Sequence, residues 1–350
     1  MKKFSKFAGE LRKGMSVILI ALAVTSLTAG ASAQATSTDS SGLSSILPQS
    51  MSGYPSTQSV LQNVQAGETL RSFPSDFRSQ IQKLISSQNN GDGYPGSGTP
   101  KCIGSTGAAV ERLSDCTGGD LQSSNVMVLI GDSRTGMWGG TFHNLGFLTK
   151  WKVITLYKSG CPTGLADFVP TGNLSGVTWA DCSKFHINLL AEMNRLKPKV
   201  IVISSQTQMV VTTPAPVHLA SPTETTTALA SFIRRLPSAS KVVVLGGFPT
   251  PGYNHLANPT TCLSRSPRNP SFCNFTEQSN VLASNQAFKS STKQTGAGYI
   301  DSGPWFCGQT CPAIISGDIV YTTDAYHADG RYLNVLTRAL YDQLKPYMVH

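Results

Sequence analysis

Five short apolar runs, rich in β-branched residues, recur along this chain and alternate with longer segments of helical spacing. The spacing predicts helices over residues 184–196, 223–236 and 330–344, and strands over the five runs. Short buried strands separated by helices favour a parallel sheet with helices on both faces. The sequence therefore predicts the α/β class, with a parallel five-stranded sheet. The five runs are Val126–Ile130, Lys152–Tyr157, Val200–Ser204, Lys241–Leu245 and Gly298–Ile300.

The first 33 residues have the features of a secretory signal peptide. A basic start with Lys2 and Lys3 precedes an apolar run over 15–27 and the small residues Ala31-Ser32-Ala33, which form an A-x-A cleavage site. An uncleaved membrane anchor is the alternative, but the run is short for a bilayer span. We expect the leader to be removed and the protein to be secreted or held in the cell envelope.

Charge beyond the leader is mild. Residues 34–350 carry 23 basic and 18 acidic side chains, a net charge of +5, and these charges do not form runs along the sequence. The pattern gives no sign of a nucleic-acid-binding protein. A basic exported protein can associate with anionic polymers of the cell envelope.

Composition divides the rest of the chain into three parts. Residues 34–55, rich in Ser, Thr, Gln and Gly, are predicted to be a disordered linker. Residues 56–100 are predicted to be a helical N-terminal extension, with apolar residues at near-helical spacing broken around Pro74, followed by a Gly-rich loop. Residues 101–350 contain the alternating strands and helices and are predicted to be the catalytic domain.

Eight cysteines in an exported chain indicate disulfide bonds. Sequence alone does not fix their connectivity, and pairing between near neighbours is the simplest expectation. Metal binding is the alternative, but no Cys-x-x-Cys pair occurs and the histidines do not cluster near the cysteines. The expected pairs are Cys102 with Cys116, Cys161 with Cys182, Cys262 with Cys273, and Cys307 with Cys311.

The first strand runs directly into Gly131-Asp132-Ser133. Active sites of parallel sheets lie beyond the C-terminal ends of the strands, so a serine there has its hydroxyl exposed at the sheet edge. Its own N–H lies at a helix N-terminus, which favours a developing negative charge. Asp132 could cap the helix or fix the turn. Taken alone, the tripeptide is more typical of a simple helix cap than of a catalytic serine.

Asp324-x-x-His327 near the C-terminus supplies the other two groups of a serine hydrolase. On a helical turn, two side chains three residues apart lie on one face. His327 could then reach Ser133 with one ring nitrogen while Asp324 holds the other. Alone, the pair also fits a surface acid beside a structural histidine. With Ser133 it indicates nucleophilic serine ester chemistry.

Two further groups could stabilise an oxyanion. Gly160 follows the second strand and could offer a backbone N–H, although it also fits a plain turn before Cys161. Gln206 and Gln208 follow the third strand, and either could donate a third hydrogen bond. A surface loop is the alternative at that position.

The ordered set of these motifs resembles the SGNH hydrolase superfamily. The similarity is greatest to the SGNH domain found at the C-terminus of acyltransferase-3 (AT3) membrane proteins, which acylate bacterial surface glycans. It covers roughly residues 70–345. The residues that carry it are Phe73-Pro74-Ser75-Asp76-Phe77, Cys102 and Cys116, Leu129-Ile130-Gly131-Asp132-Ser133 with Trp138, Lys158-Ser159-Gly160-Cys161-Pro162, Trp179 and Cys182, Asp301, Trp305, Cys307, Cys311-Pro312, and Tyr321-x-x-Asp324-x-x-His327.

The resemblance implies a flavodoxin-like three-layer α/β/α sandwich. It also implies that Ser133 is the nucleophile, His327 the general base and Asp324 its orienting acid, with the N–H groups of Ser133 and Gly160 forming the oxyanion hole. No metal or organic cofactor is implied. The expected activity is that of an exported serine esterase or O-acyltransferase acting on O-acyl groups, most simply acetyl, of envelope or extracellular glycans.

Two departures from the family pattern leave alternatives open. The superfamily's third block carries an asparagine that donates to the oxyanion, whereas the third strand here is followed by Ser204-Ser205-Gln206. After the histidine, the family usually has Leu and then Ser or Thr, whereas this chain has Ala328-Asp329. A non-catalytic glycan-binding or scaffold protein with the same fold is therefore the rival function. The expected partners are an acylated glycan or small ester, with a membrane acyltransferase as a further candidate.

Overall fold

The computed structural model describes residues 51–90, 116–169, 179–206, 209–212, 216–251, 258–265, 268–277, 279–324 and 326–349, which belong to one compact unit. The predicted signal peptide and residues 34–50 of the predicted linker lie outside the described residues. None of the helices in the described part combines the length and the apolar character that a membrane span requires.

A six-stranded sheet forms the centre of the protein, with the strand order β1-β3-β2-β5-β8-β9. Five of its strands are parallel, as predicted, and their bounds agree with the predicted runs to within one residue. The sheet strands are β1 Thr117–Gly119, β2 Val126–Gly131, β3 Lys152–Tyr157, β5 Val200–Ser204, β8 Lys241–Leu245 and β9 Gly298–Ile300.

One prediction about the sheet was wrong, because it has six strands rather than five. The additional strand, β1, pairs antiparallel with β3, so that Thr117 lies opposite Ile154 and Gly119 opposite Lys152. Its Thr-Gly-Gly sequence has no β-branched run, and its strand conformation comes from pairing with an exposed sheet edge rather than from local preference.

Alternate residues of each strand point to opposite faces of the sheet, and each face is covered by helices. In β5, Val200 and Val202 pack with the helices of one face, whereas Ile201 and Ile203 pack with those of the other. All four are fully buried. The first face carries α1 (Thr57–Glu68), α3 (Ser133–Thr149), α8 (Gly330–Val335) and α9 (Thr337–Leu344), and the second carries α4 (Trp179–Leu196), α5 (Pro222–Ile233) and α7 (Ser279–Thr295). This arrangement confirms the predicted three-layer α/β/α sandwich.

The helices are α1 Thr57–Glu68, α2 Phe77–Asn90, α3 Ser133–Thr149, α4 Trp179–Leu196, α5 Pro222–Ile233, α6 Pro259–Ser264, α7 Ser279–Thr295, α8 Gly330–Val335 and α9 Thr337–Leu344. The single helix predicted over 330–344 is thus two helices, separated at Leu336, whose side chain is fully buried. Two small antiparallel sheets complete the fold: β4 Phe168–Val169 with β6 Val210–Val211 and β7 His218–Leu219, and β10 Ile314–Ile315 with β11 Asp318–Ile319.

The predicted N-terminal segments differ from the structure in two respects. Met51 is fully buried in the core beside the sheet, so residues 51–55 belong to the folded part and not to a disordered linker. The predicted extension lies at α1 and α2, on either side of Pro74, and Val60 and Val64 of α1 belong to the same core. Apolar side chains at these positions therefore complete the main core.

Three of the four expected disulfides are present among the described residues. They join Cys161 to Cys182, Cys262 to Cys273, and Cys307 to Cys311. Cys116 is also disulfide-bonded. Its expected partner, Cys102, lies outside the described residues.

Candidate active site

The turn between β2 and α3 carries Ser133 at the first position of the helix. Gly131 has φ of 151°, and a Cβ atom there would collide with the carbonyl oxygen of Ser204 on the neighbouring strand β5. Only glycine allows this close approach. The hydroxyl of Thr135 donates to the same carbonyl at 2.6 Å and to that of Ile130 at 2.9 Å. The serine turn is thereby fixed against β5.

Asp132 is the N-cap of α3, and its side chain also links the end of β2 to the segment that follows β5. One carboxylate oxygen accepts from the N–H of Arg134 at 2.8 Å. The other accepts from the N–H of Gln206 at 2.7 Å and from the hydroxyl of Ser205 at 3.1 Å. Burial raises the pKa of Asp132, and its three donors and the charge of Arg134 act against that rise. The sequence suggested that Asp132 caps the helix or fixes the turn. In the structure Asp132 also binds two donors in the segment after β5, the Ser205 hydroxyl and the Gln206 N–H.

The structure brings the three residues of the predicted triad together. The Nε2 atom of His327 lies 2.8 Å from the hydroxyl oxygen of Ser133, and its Nδ1 atom lies 2.6 Å from a carboxylate oxygen of Asp324. His327 is buried, whereas Ser133 is half-buried. A carboxylate beside Nδ1 favours the tautomer that carries its proton there, and the lone pair of Nε2 can then accept the serine proton.

Asp324 is held in its ionised form. Burial alone would raise the pKa of Asp324, but hydrogen bonds from His327, from the Thr322 hydroxyl at 2.7 Å and from the N–H of Tyr326 at 2.8 Å outweigh it. The net effect places the pKa well below its ordinary value. An ionised acid at this position can stabilise the imidazolium that forms when His327 takes up a proton.

Asp324 and His327 face each other across a turn, and not on a helix as the sequence spacing suggested. The turn is closed by the Asp324 carboxylate, which accepts from the N–H groups of Tyr326 and His327. At its base, the N–H of Thr322 donates to the carbonyl oxygen of His327 at 2.9 Å. Local Asp-to-backbone hydrogen bonds of this kind are what make aspartate a turn former.

A second layer of contacts reaches this turn from α6. The side-chain amide of Asn258, the N-cap of α6, donates to the carbonyl oxygen of Thr323 at 2.6 Å. The hydroxyl of Thr260 donates to the carbonyl oxygen of Tyr321 at 2.5 Å. The disulfide between Cys262 and Cys273 anchors the same short helix. Asn258 was not predicted as a site residue, although the pattern Asn-Pro at a helix start is a recognisable cap signal.

Gly160 and Gln206 lie at the same edge of the sheet as Ser133. Gly160 occupies a turn after β3 with φ of 72°, a left-handed conformation that favours glycine. The turn is linked to the serine segment because the N–H of Lys158 donates to the carbonyl oxygen of Gly131. The backbone N–H of Gln206 is used by Asp132, so its candidate role as an oxyanion donor concerns its side chain alone. Gln208 lies outside the described residues.

Asp329, the other departure from the family pattern, caps the helix that follows the candidate base. Its carboxylate accepts from the N–H of Arg331 at 2.9 Å at the start of α8. Asp329 is only 5% exposed. Burial raises the pKa of Asp329 to about 6, against the opposing effect of the Arg331 N–H and charge. The residue therefore has a structural role in setting where α8 begins.

Arg134, next to Ser133 in the chain, was also not singled out from the sequence. It is buried, and the central carbon of its guanidinium lies 4.3 Å from the centre of the Phe248 ring. This distance is within the range of a cation–π contact. The contact places a positive charge close to the start of α3.

Residues 101–328 match the family model of the SGNH domain that is fused to AT3 domains. The chain belongs to this family. The match covers the serine turn, the Gly160 turn and the Asp324–His327 turn, and the family places the protein among enzymes that act on esters. Comparison with curated proteins gives no significant match.

Two solved structures are similar to this SGNH protein. The periplasmic domain of a lipopolysaccharide acetyltransferase from Salmonella ser. Paratyphi A has a TM-score of 0.56 at 14% identity, covering 78% of this chain and 99% of that one. A carbohydrate acetylesterase family member from Sinorhizobium meliloti has a TM-score of 0.39 at 12% identity, covering 64% of this chain and 99% of that one. The first similarity shows a common fold.

Proposed function

We propose that this SGNH protein is an exported serine esterase or O-acyltransferase that acts on O-acyl groups, in particular acetyl, of envelope or extracellular glycans. One observation carries the proposal: His327 bridges Ser133 and Asp324 at 2.8 and 2.6 Å. This is the hydrogen-bonded chain that nucleophilic serine catalysis requires.

In the proposed reaction, the Ser133 hydroxyl oxygen attacks the ester carbonyl and its proton passes to Nε2 of His327. Asp324 stabilises the resulting imidazolium through Nδ1. The N–H groups of Ser133 and Gly160 stabilise the tetrahedral oxyanion. When the intermediate collapses, the leaving alcohol takes the proton back from His327, and the acyl group remains on Ser133. Water or a sugar hydroxyl, deprotonated by His327, then attacks the acyl-serine and releases the enzyme.

The glycan substrate is supported by the family. Because the family model describes a domain that is fused to AT3 domains in other proteins, an O-acylated glycan is the substrate class we propose. The lipopolysaccharide acetyltransferase domain among the similar structures is consistent with that class. A membrane acyltransferase that supplies acyl groups is the proposed partner.

Export is part of the same proposal. Three disulfides among the described residues, and a fourth that includes Cys116, are typical of an oxidising compartment. The predicted signal peptide over residues 1–33 gives the route. We propose an envelope or extracellular location for the mature protein.

Labelling with a fluorophosphonate probe tests the catalytic role of Ser133. The wild type is expected to form a covalent adduct, Ser133→Ala is expected to form none, and Ser290→Ala, which changes an exposed serine on α7, is expected to react as the wild type does. Turnover of an acetyl ester with and without a sugar acceptor then separates hydrolysis from transfer. A folded wild type that neither labels nor turns over acetyl esters would support the non-catalytic glycan-binding alternative.

A further inference from the structure

The edge of the sheet opposite Ser133 is strongly basic. The parallel strands begin at this edge, and α3, α4, α5 and α7 end there. Ten cationic residues lie along it, and all but the half-buried Lys152 are exposed. We call this surface the basic edge. Its cations are Lys150, Lys152, Arg195, Lys197, Lys199, Arg234, Arg235, Lys241, Lys293 and Lys345.

Few acidic groups offset these charges. Among the described residues of the basic edge, the acids are Asp120, 3.9 Å from Lys150, Glu192, 2.5 Å from Arg195, and Asp342 near the end of α9. Ten cations against three acids leave a charge of +7, whereas residues 34–350 as a whole carry +5. The rest of that chain, including the candidate active site, therefore has a net charge of −2.

Helix dipoles account for only part of this pattern. A cation near the C-terminus of a helix is favourable, so cations such as Lys150, Arg234 and Lys293 can serve the helices they follow. Lys152, Lys199 and Lys241, however, lie at the starts of β3, β5 and β8 and not in the last turn of a helix, so the helix dipole does not explain their positions. The sheet is about 24 Å wide over its five strand spacings. The charges are thus spread across a broad surface.

Large apolar side chains are exposed on the same edge. Leu121, in the loop before β2, is 55% exposed, Phe147, in the last turn of α3, is 61% exposed, and Val349, beyond α9, is 63% exposed. The ammonium group of Lys150 lies 5.5 Å from the centre of the Phe147 ring. Exposed apolar side chains flanked by lysine and arginine are typical of surfaces that insert into the headgroup region of an anionic bilayer.

A depression in the basic edge adds a more local feature. It has a volume of about 580 Å³ and lies between the starts of β8 and β9, where Arg234, Lys241 and Tyr347 contribute to its walls. Two cations and a tyrosine beside a concavity of this size can accommodate a phosphate headgroup.

We propose that the basic edge docks this protein on an anionic phospholipid surface. The 17 residues of α3 separate Ser133 from the edge by about 25 Å, at 1.5 Å per residue. A docked molecule therefore presents its candidate active site away from the bilayer, open to a glycan. A soluble polyanion would use the charges of the basic edge, but it would have no need of Leu121 and Phe147.

Co-sedimentation with vesicles tests this proposal. The purified protein is expected to bind vesicles of phosphatidylglycerol and phosphatidylcholine at least tenfold more strongly than vesicles of phosphatidylcholine alone, and to lose most of that preference when salt is raised from 50 to 300 mM. The triple variant Arg234→Glu, Lys241→Glu, Lys199→Glu is expected to lose at least tenfold in binding. The matched control Arg71→Glu, Arg78→Glu, Lys83→Glu changes the net charge by the same amount. Its residues lie between α1 and α2 and on α2, away from the basic edge. Vesicle binding by this control is expected to stay within twofold of that of the wild type.

All variants carry the same N-terminal residues, so any contribution from the apolar segment over 15–27 is common to them. The variant Leu121→Ser, Phe147→Ser keeps the charges and is expected to weaken vesicle binding while leaving the binding of soluble polyphosphate unchanged. Equal losses in the two triple variants, or no preference for anionic vesicles, would overturn the proposal. Polyphosphate binding as strong as vesicle binding, with no effect of Leu121→Ser and Phe147→Ser, would identify a soluble polyanion instead. Turnover of a small soluble ester reports on Ser133 separately, because none of these substitutions touches the triad.

Discussion

The buried carboxyl group of Asp329 lies two residues after His327, and we expect it to lower the stability of the protein at neutral pH. It caps α8 while its residue is only 5% exposed, and burial raises its pKa to about 6. Asparagine is an equally good N-cap and has no charge to bury. We therefore predict that Asp329→Asn stabilises the folded protein at pH 7 and above.

The magnitude follows from the shift of this pKa. The ordinary pKa of an aspartate in an unfolded chain is 3.8, so between pH 3.8 and about 6 the folded state holds the Asp329 proton more tightly than the unfolded state does. The contribution of Asp329 to the free energy of unfolding has its highest value below pH 3.8. It decreases as the pH rises through this window and is constant at higher pH. A shift of about two pKa units corresponds to ~3 kcal/mol, at about 1.4 kcal/mol per unit.

Urea unfolding at pH 4, 5, 6 and 7 and constant ionic strength measures this effect. The difference in unfolding free energy between Asp329→Asn and the wild type is expected to grow by roughly 2.4 kcal/mol from pH 4 to pH 7, because the unfolded-state carboxyl is already partly ionised at pH 4. Asp329→Ala removes the same titration but also the cap, so its curve should run parallel and about 1 kcal/mol lower. A difference that stays constant over this pH range, or a wild type more stable than the Asn variant at pH 7, would refute the reasoning.

Two further substitutions test the positioning of the candidate site. Asp132→Ala leaves three donors, the N–H groups of Arg134 and Gln206 and the Ser205 hydroxyl, without their acceptor. The unfolding free energy is expected to fall by roughly 3–9 kcal/mol, at about 1–3 kcal/mol per donor. A loss under about 1 kcal/mol in urea would contradict this role. Asn258→Ala removes the support of the Thr323 carbonyl, and we expect kcat for an acetyl ester to fall about tenfold or more with KM little changed, because a misplaced base costs orientation rather than binding. Equal kcat values for this variant and for Asn269→Ala, a control at the start of the next turn, would count against it.

The sequence was sufficient for the parallel strands because each is a short buried run whose pattern is local. β5 illustrates this, because the apolar side chains of Val-Ile-Val-Ile-Ser point to both sides of the sheet and can be buried only if both faces are covered. The edge strand β1 was missed because its Thr-Gly-Gly sequence carries no such pattern, and its conformation depends on β3. Burial of Met51 was missed for the same reason, because a single methionine among small polar residues gives no periodic signal.

The candidate triad could be predicted because two general rules apply to it. Sites lie beyond the C-terminal ends of parallel strands, and Asp-x-x-His provides an acid and a base at short range. The contacts that hold the triad could not be predicted, because they join residues distant in sequence. The Asn258 amide reaches Thr323 across 65 positions, and the Asp132 carboxylate reaches Gln206 across 74. The cap role of Asp329 could have been found, since an aspartate directly before a helical pattern is a start signal.

β5 supplies no reacting group in the proposed mechanism, yet it determines where the nucleophile lies. The Ser204 carbonyl leaves no room for a side chain at position 131 and accepts the Thr135 hydroxyl, while the N–H of Gln206 holds Asp132. The segment that carries an oxyanion-donating asparagine elsewhere in the superfamily therefore uses its backbone here to position Ser133. In the proposed mechanism the oxyanion is stabilised by the N–H groups of Ser133 and Gly160. Because the backbone N–H of Gln206 is held by Asp132, Gln206 is a candidate third donor through its side-chain amide only. Replacing that amide should consequently affect the rate far less than disturbing the contacts between β5 and the serine turn.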